Sequence, residues 1–134
     1  MTNSAKLMIC KMFRHGEIWL ANLNPGRGTE PGKVRPVLLL QNQALLDAGH
    51  PSTLIVPLTT NLVDDAEPLR LRVLTGGGLD KDSDILVDQL RAIDNKRLVG
   101  GPLQSLDEQF MKRLYQAVSE VLGMTMWDCS GFKS

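Results

Sequence analysis

The chain is predicted to fold as a mainly β domain with helices, of the α+β class: a small, strongly curved barrel of about five to seven strands, closed at its end by one amphipathic helix. Three observations carry that prediction. Short apolar runs recur through residues 16–95 with Gly, Pro and Asn punctuation between them. Several are only four to six residues long, which is strand length rather than helix length. Only the segment after Ser105 shows a sustained helical period.

In order along the chain, Ile18 to Leu23 reads as a first strand with both faces partly apolar. Asn24-Pro25-Gly26-Arg27-Gly28 breaks it. Val37 to Leu40 is a continuous apolar run, which places it centrally in a sheet. Residues 43–50 suit a helical turn ending at Gly49. Leu54 to Leu58 forms a third strand, with Pro57 marking an edge or a bulge. Leu69, Leu71 and Val73 alternate with Arg70 and Arg72, a half-exposed fourth strand. Gly76-Gly77-Gly78 turns the chain, and Ile85 to Leu90 forms a fifth strand, followed by a short extended piece at 91–93. Ser105 and Glu108 fit a capping box. Phe110, Leu114, Ala117, Val118, Val121 and Leu122 then share one helical face, and Gly123 stands where a helix end favours a left-handed residue.

A chain of 134 residues is expected to be one domain, here 14–124, between a loose N-terminal tail at 1–13 and a C-terminal tail at 125–134. Met12, just ahead of the organised sequence, is a candidate start. A domain of this length buries roughly two-thirds of its unfolded surface, enough for a core without metal or disulfides. Hydrophobic content of 43% and charged content of 22% suit a soluble globular protein. No apolar stretch has the length of a membrane span, and the N-terminus lacks the pattern of a signal peptide. A cytoplasmic location follows as the expectation. Cys10 and Cys129 match no metal spacing and are expected as lone thiols.

The formal net charge is zero, which argues against a general nucleic-acid coat protein. Its distribution is uneven. Residues 1–60 carry Lys6, Lys11, Arg14, Arg27, Lys33 and Arg35 against Glu17, Glu30 and Asp47. The half with the glycine-rich loop is thus the basic half, and it offers a local surface for phosphate.

The most informative stretch is Gly16 to Asn42, GEIWLANLNPGRGTEPGKVRPVLLLQN. Its charged loop ends in Lys33-Val34-Arg35-Pro36 just as an apolar run begins, which fixes a guanidinium at the mouth of β structure. Arg is the side chain best shaped to hold a phosphate through paired hydrogen bonds. This stretch resembles the opening of the MazF/PemK family of toxin endoribonucleases. Further pieces follow in the family's order: Val56-Pro57-Leu58-Thr59-Thr60, then Asp88-Gln89, then Arg91-Ala92-Ile93-Asp94. Together they cover about Arg14 to Met124.

The resemblance implies an SH3-like barrel, a homodimer, and the toxin half of a type II toxin–antitoxin pair. It implies metal-independent, sequence-specific cleavage of single-stranded RNA with no cofactor, and inhibition by a cognate MazE-like antitoxin. It marks Arg35 as catalytic, with Thr59 beside it, and offers Glu30 and Asp88 as acids used in parts of the family. RNA contacts are expected from Arg27, Lys33, Thr29, Thr60 and Gln89, with no metal ligand and no membrane partner.

Three departures stand out. Pro31 follows Glu30 where many members have Gln. Thr29 stands where some PemK-type members have His, and Leu86 where those members have Arg. The chain therefore sits nearer the branch that relies on Arg and Thr. His15 and His50 match no catalytic position of the family. The spare apolar side chains Met111, Met124 and Met126 are candidates for a dimer surface. Two alternatives share the fold: a CcdB-like gyrase poison, which binds without catalysis, and an RNA-binding module that has lost turnover.

Overall fold

A computed structural model describes residues 12–29 and 33–124. The strands are β1 (Glu17–Asn22), β2 (Val34–Leu39), β3 (Ser52–Thr59), β4 (Arg70–Val73), β5 (Ser83–Leu86), β6 (Arg91–Asp94) and β7 (Leu98–Ser105). Helix α1 (Gln43–Asp47) lies between β2 and β3, and α2 (Glu108–Val121) ends the fold. All the pairings between these strands are antiparallel, in the order β4-β5-β3-β2-β1-β7, and β6 joins β3 off that path.

The end strands β4 and β7 do not pair, so the described sheet is not closed by strand pairing. One backbone hydrogen bond crosses the gap, from Gly78 N in the turn after β4 to Leu103 O in β7 at 2.6 Å. That approach explains the triple glycine. A Cβ on Gly77 would lie 2.5 Å from the same carbonyl oxygen, at a φ of +54°.

The sheet is apolar on both faces. Ile18, Leu38, Val56, Leu58, Leu71, Val73 and Ile85 pack under α2 with its Met111, Leu114 and Ala117. Trp19, Ala21, Leu23, Val37, Leu39, Ile55, Ile93 and Leu98 form a second cluster on the opposite face. The alternation of β1 between these clusters is the period-2 pattern of a strand buried on both sides. Phe13, placed in the tail from sequence, sets its ring edge-on to Trp19 with centroids 4.9 Å apart.

Several elements differ from the sequence expectation, each for a physical reason. Pro57 marks no edge: it is buried and stands opposite Val37 of β2. On its other side β3 pairs β6 through Ile55 and β5 from Leu58 onward, so the proline falls where β3 changes partners. The fifth strand stops at Leu86, and Val87–Gln89 form a 3-10 turn. β7 is an unforeseen strand, masked in the sequence by Gly100-Gly101-Pro102, and register shifts interrupt its pairing with β1. Gly101 has a reason to be there: a Cβ would lie 2.8 Å from Cδ2 of Trp19, whose indole packs on that backbone.

Ser105 does not cap α2. It is still in β7, opposite Glu17, and the cap is Asp107, whose Oδ1 accepts from Phe110 N at 2.8 Å. At the other end Gly123 takes φ +77° as expected. Its N–H donates to Glu120 O, and that of Met124 to Ser119 O, the paired bonds of a Schellman ending. Leu122, expected on the buried face, is exposed, and Met111 belongs to the core rather than to the spare surface. Met124 is exposed. Met126, Cys10 and Cys129 lie outside the described residues.

Candidate active site and the family of the chain

The site grows from the register of the central strands. Ala21 of β1 stands opposite Arg35 of β2. Val37 stands opposite Pro57, and Arg35 and Thr59 each lie two residues beyond that pair, on the same face by strand alternation. Thr59 in turn is opposite Asp84 of β5, and Asp84 is opposite Arg72 of β4. Paired residues point to one face of a sheet. Arg35, Thr59, Asp84 and Arg72 therefore form a row on the face turned away from α2.

Arg35 is half-buried, and its Nη1 donates to Leu58 O at 3.2 Å. That bond lays the guanidinium across to β3, one residue from Thr59. Burial lowers the guanidinium's pKa from its ordinary value, though an Arg remains cationic near neutral pH. Pro36 follows with its fixed φ, opposite Leu20. Thr59 closes β3, half-buried, and its Oγ1 accepts from Asn61 N at 3.1 Å. Used as an acceptor there, the hydroxyl keeps its own proton to donate. Thr60 is exposed just beyond.

The loop before β2 carries further RNA-contact candidates. Arg27, Thr29 and Lys33 are all exposed, and Lys33 takes a left-handed φ of +69°. Glu30 lies outside the described residues. Asp88 is exposed and Gln89 half-buried, and both sit on the 3-10 turn that packs against β3 and α2. The expectation of an Asp held in a strand is thereby corrected: a 3-10 turn suits Asp without any special partner. His15 has a structural setting, with Nδ1 against Gln41 O at 3.0 Å and Nε2 against the Tyr115 hydroxyl at 2.6 Å.

Two residues escaped the sequence reading. Asp84 has a side chain only 1% exposed and is the centre of an ion cluster. Its Oδ1 accepts from Arg72 Nε at 2.5 Å, and its Oδ2 from Arg70 Nη1 at 3.2 Å and Val63 N at 2.9 Å. Burial works against its charge, but the bonds from Arg72, Val63 N and Arg70 prevail and hold its pKa below the ordinary carboxylate value. Arg70 also donates to Asn61 O at 2.7 Å, and Arg72 to Asp64 at 2.9 Å. These bonds fasten the 61–65 loop beside Thr59, at the rim of a cavity of about 370 Å³ lined by that loop, β4 and Arg113. The second residue is Arg97, whose Nη1 donates to Asn22 O and Asn24 O, each at 2.9 Å. A signal for Asp84 was present: two arginines at alternate positions of β4 and an acid inside the apolar β5. For Arg97 there was none, because its partners are backbone carbonyls.

Among the described residues no group of three or more His, Cys, Asp or Glu side chains is placed to hold a metal ion.

The model of the PemK-like, MazF-like toxins of type II toxin–antitoxin systems matches residues 14–122. The chain belongs to this family. The MazF endoribonuclease of Staphylococcus saprophyticus is 36% identical over 117 residues, covering 84% of this chain and 93% of the relative. That of Staphylococcus epidermidis is 35% identical over 121 residues, covering 87% and 97%. Among solved structures, a Deinococcus radiodurans MazF superposes with a TM-score of 0.71 at 20% identity, covering 85% of this chain and 99% of that one. A mycobacterial endoribonuclease solved with its cognate antitoxin superposes with a TM-score of 0.65 at 19% identity, covering 84% and 96%. This MazF-type toxin thus has the family's fold, with Arg35 and Thr59 together on one sheet face.

Proposed function

We propose that this toxin is a metal-independent endoribonuclease that cuts single-stranded RNA at a preferred short sequence and so arrests translation and growth. The observation that carries the proposal is the placement of Arg35 beside the end of β3, where its guanidinium and the Thr59 hydroxyl face the same side of the sheet.

In the proposed reaction the ribose 2′-oxygen attacks the adjacent phosphorus. A new O2′–P bond forms and the P–O5′ bond breaks, leaving a 2′,3′-cyclic phosphate and a 5′-OH. The 2′-OH proton passes to a base, and the departing O5′ takes a proton from the protonated base or from solvent water, so no net proton is gained or lost. Arg35 holds the non-bridging oxygens and stabilises the added charge, the electrostatic role that contributes most in such transfers. Thr59 donates a hydrogen bond to the same phosphate. Glu30 is the candidate base. Asp88, on its exposed turn, is the second candidate acid. Arg27, Lys33, Thr29, Thr60 and Gln89 are assigned to binding the strand on either side. DNA lacks the 2′-OH nucleophile and survives.

The toxin is proposed to act in the cytoplasm as a homodimer held in check by a MazE-like antitoxin. A Deinococcus radiodurans MazF was solved in complex with MazE, with a TM-score of 0.67 to this chain. Light scattering showing a monomer at micromolar concentration would remove the dimer from this reading.

The deciding experiment incubates the purified toxin with a long unstructured RNA in excess EDTA, beside Arg35→Ala, and analyses the product ends. Discrete fragments with cyclic-phosphate and 5′-OH ends, absent with the variant, are the expected result. Intact RNA with the folded, antitoxin-free wild type would point to a binding-only toxin instead.

A further inference from the structure

The loop of residues 24–33 leaves β1 and returns as β2, delivering Arg35 two residues after its end. Its neck is cross-linked. Leu23 N donates to Lys33 O at 2.8 Å, and Lys33 N donates to the Asn24 side-chain oxygen at 2.6 Å. Lys33, with its left-handed φ, is thus held between two contacts on the β1 side. The β1 side is itself held by Arg97. One guanidinium nitrogen of Arg97 bonds the carbonyls of Asn22 and Asn24, which flank Leu23. Arg97 is placed by the strand that follows it, because Leu98 is buried and stands opposite Ala21, the residue that also stands opposite Arg35.

We propose that Arg97 is a positioning residue for the cleavage reaction: its clamp on Asn22 and Asn24 fixes the neck of the 24–33 loop, and through Lys33 the direction in which Arg35 enters the site. The inference rests on the nuclease reading of Arg35. Hydrogen bonds from a cation to carbonyls are of the stronger kind. A displacement of a reacting group by about 1 Å costs on the order of 100-fold in rate. Arg97 therefore acts on turnover without touching RNA.

The test compares wild type, Arg97→Met and Arg97→Lys on a short fluorogenic RNA, with backbone amide exchange measured on the same samples. Met keeps the aliphatic length and loses both bonds, whereas Lys keeps the cation and can reach a carbonyl. The expected result is a fall in kcat of about 10- to 100-fold for Arg97→Met with KM within about threefold of wild type, and partial recovery in Arg97→Lys. The amides of Leu23 and Lys33 lose protection in Arg97→Met while those of β3 and α2 keep theirs. Full kcat in Arg97→Met overturns the proposal, as does a loss of protection spread evenly over the domain, which would mark Arg97 as a general stabiliser. A wild type that cuts no RNA would refute the nuclease reading, and the exchange pattern would still decide whether the clamp orders the neck.

Discussion

Thr59 and Asp84 stand opposite each other where β3 meets β5, one half-exposed at the end of its strand and the other sealed beneath an arginine pair. The strand position of the proposed phosphate-binding hydroxyl is thereby set beside a buried carboxylate. Removing that carboxylate leaves Arg70 and Arg72 without their shared partner. Breaking a fully buried pair costs about 3–5 kcal/mol, and here both guanidinium groups reach solvent, so Asp84→Ala is expected to cost about 2 kcal/mol. Urea unfolding measures it, and a cost below about 0.5 kcal/mol would show that the cluster is ornamental to stability.

The same carboxylate sets an acid limit. Asp84 and Asp82 both have folded pKa values below their ordinary 3.8, Asp82 through the bonds it accepts from Thr75. A depressed carboxylate stabilises the fold above its unfolded pKa, and that contribution disappears as pH falls through the folded value. Stability should be level from neutral pH down to about 5, then fall below about 4. The double variant Asp82→Asn, Asp84→Asn should be less stable at neutral pH and show a flatter acid limb. An unchanged limb would assign acid unfolding to other carboxylates.

Arg35 and Thr59 should separate by size of effect. Removing a guanidinium that carries transition-state charge is expected to lower kcat by about 1,000-fold or more, and Thr59→Val by about 10- to 100-fold, with melting temperature moved little in either case. Equal, small losses from both would shift the chemistry to another group.

Gly101 offers a test of packing rather than of chemistry. Its φ of +147° and the Trp19 indole leave no room for a methyl group. Gly101→Ala is expected to destabilise by about 2 kcal/mol through overpacking and backbone strain. Tryptophan fluorescence should report the displaced indole directly.

The order of elements up to β5, the amphipathic helix and the nearness of Arg35 to the end of β3 were legible in the sequence, because those features depend on local period and on motif residues read in series. Pro57, Ser105 and β7 were misread or missed for one shared reason. Each is decided by which strand lies alongside, and strand partnership is not encoded locally. Asp88 looked unusual only under the assumption of a strand, and the 3-10 turn removes the anomaly. Asp84 left only the faint signal of an acid in β5 and alternate arginines in β4, and Arg97 became visible through its partners alone, backbone carbonyls far away in the chain.

The pairing of β1 with both β2 and β7 has a consequence for synthesis. Residue 22 is clasped by residue 97, so most of the domain must exist before the neck of the loop that leads to Arg35 is clamped. Contacts between such distant residues form late and slowly. A nascent or prematurely terminated chain ending before Leu98 is expected to hold every candidate catalytic side chain and still be harmless. The poison is completed only with the last strand, and expressing such truncated chains in a growth assay would show it.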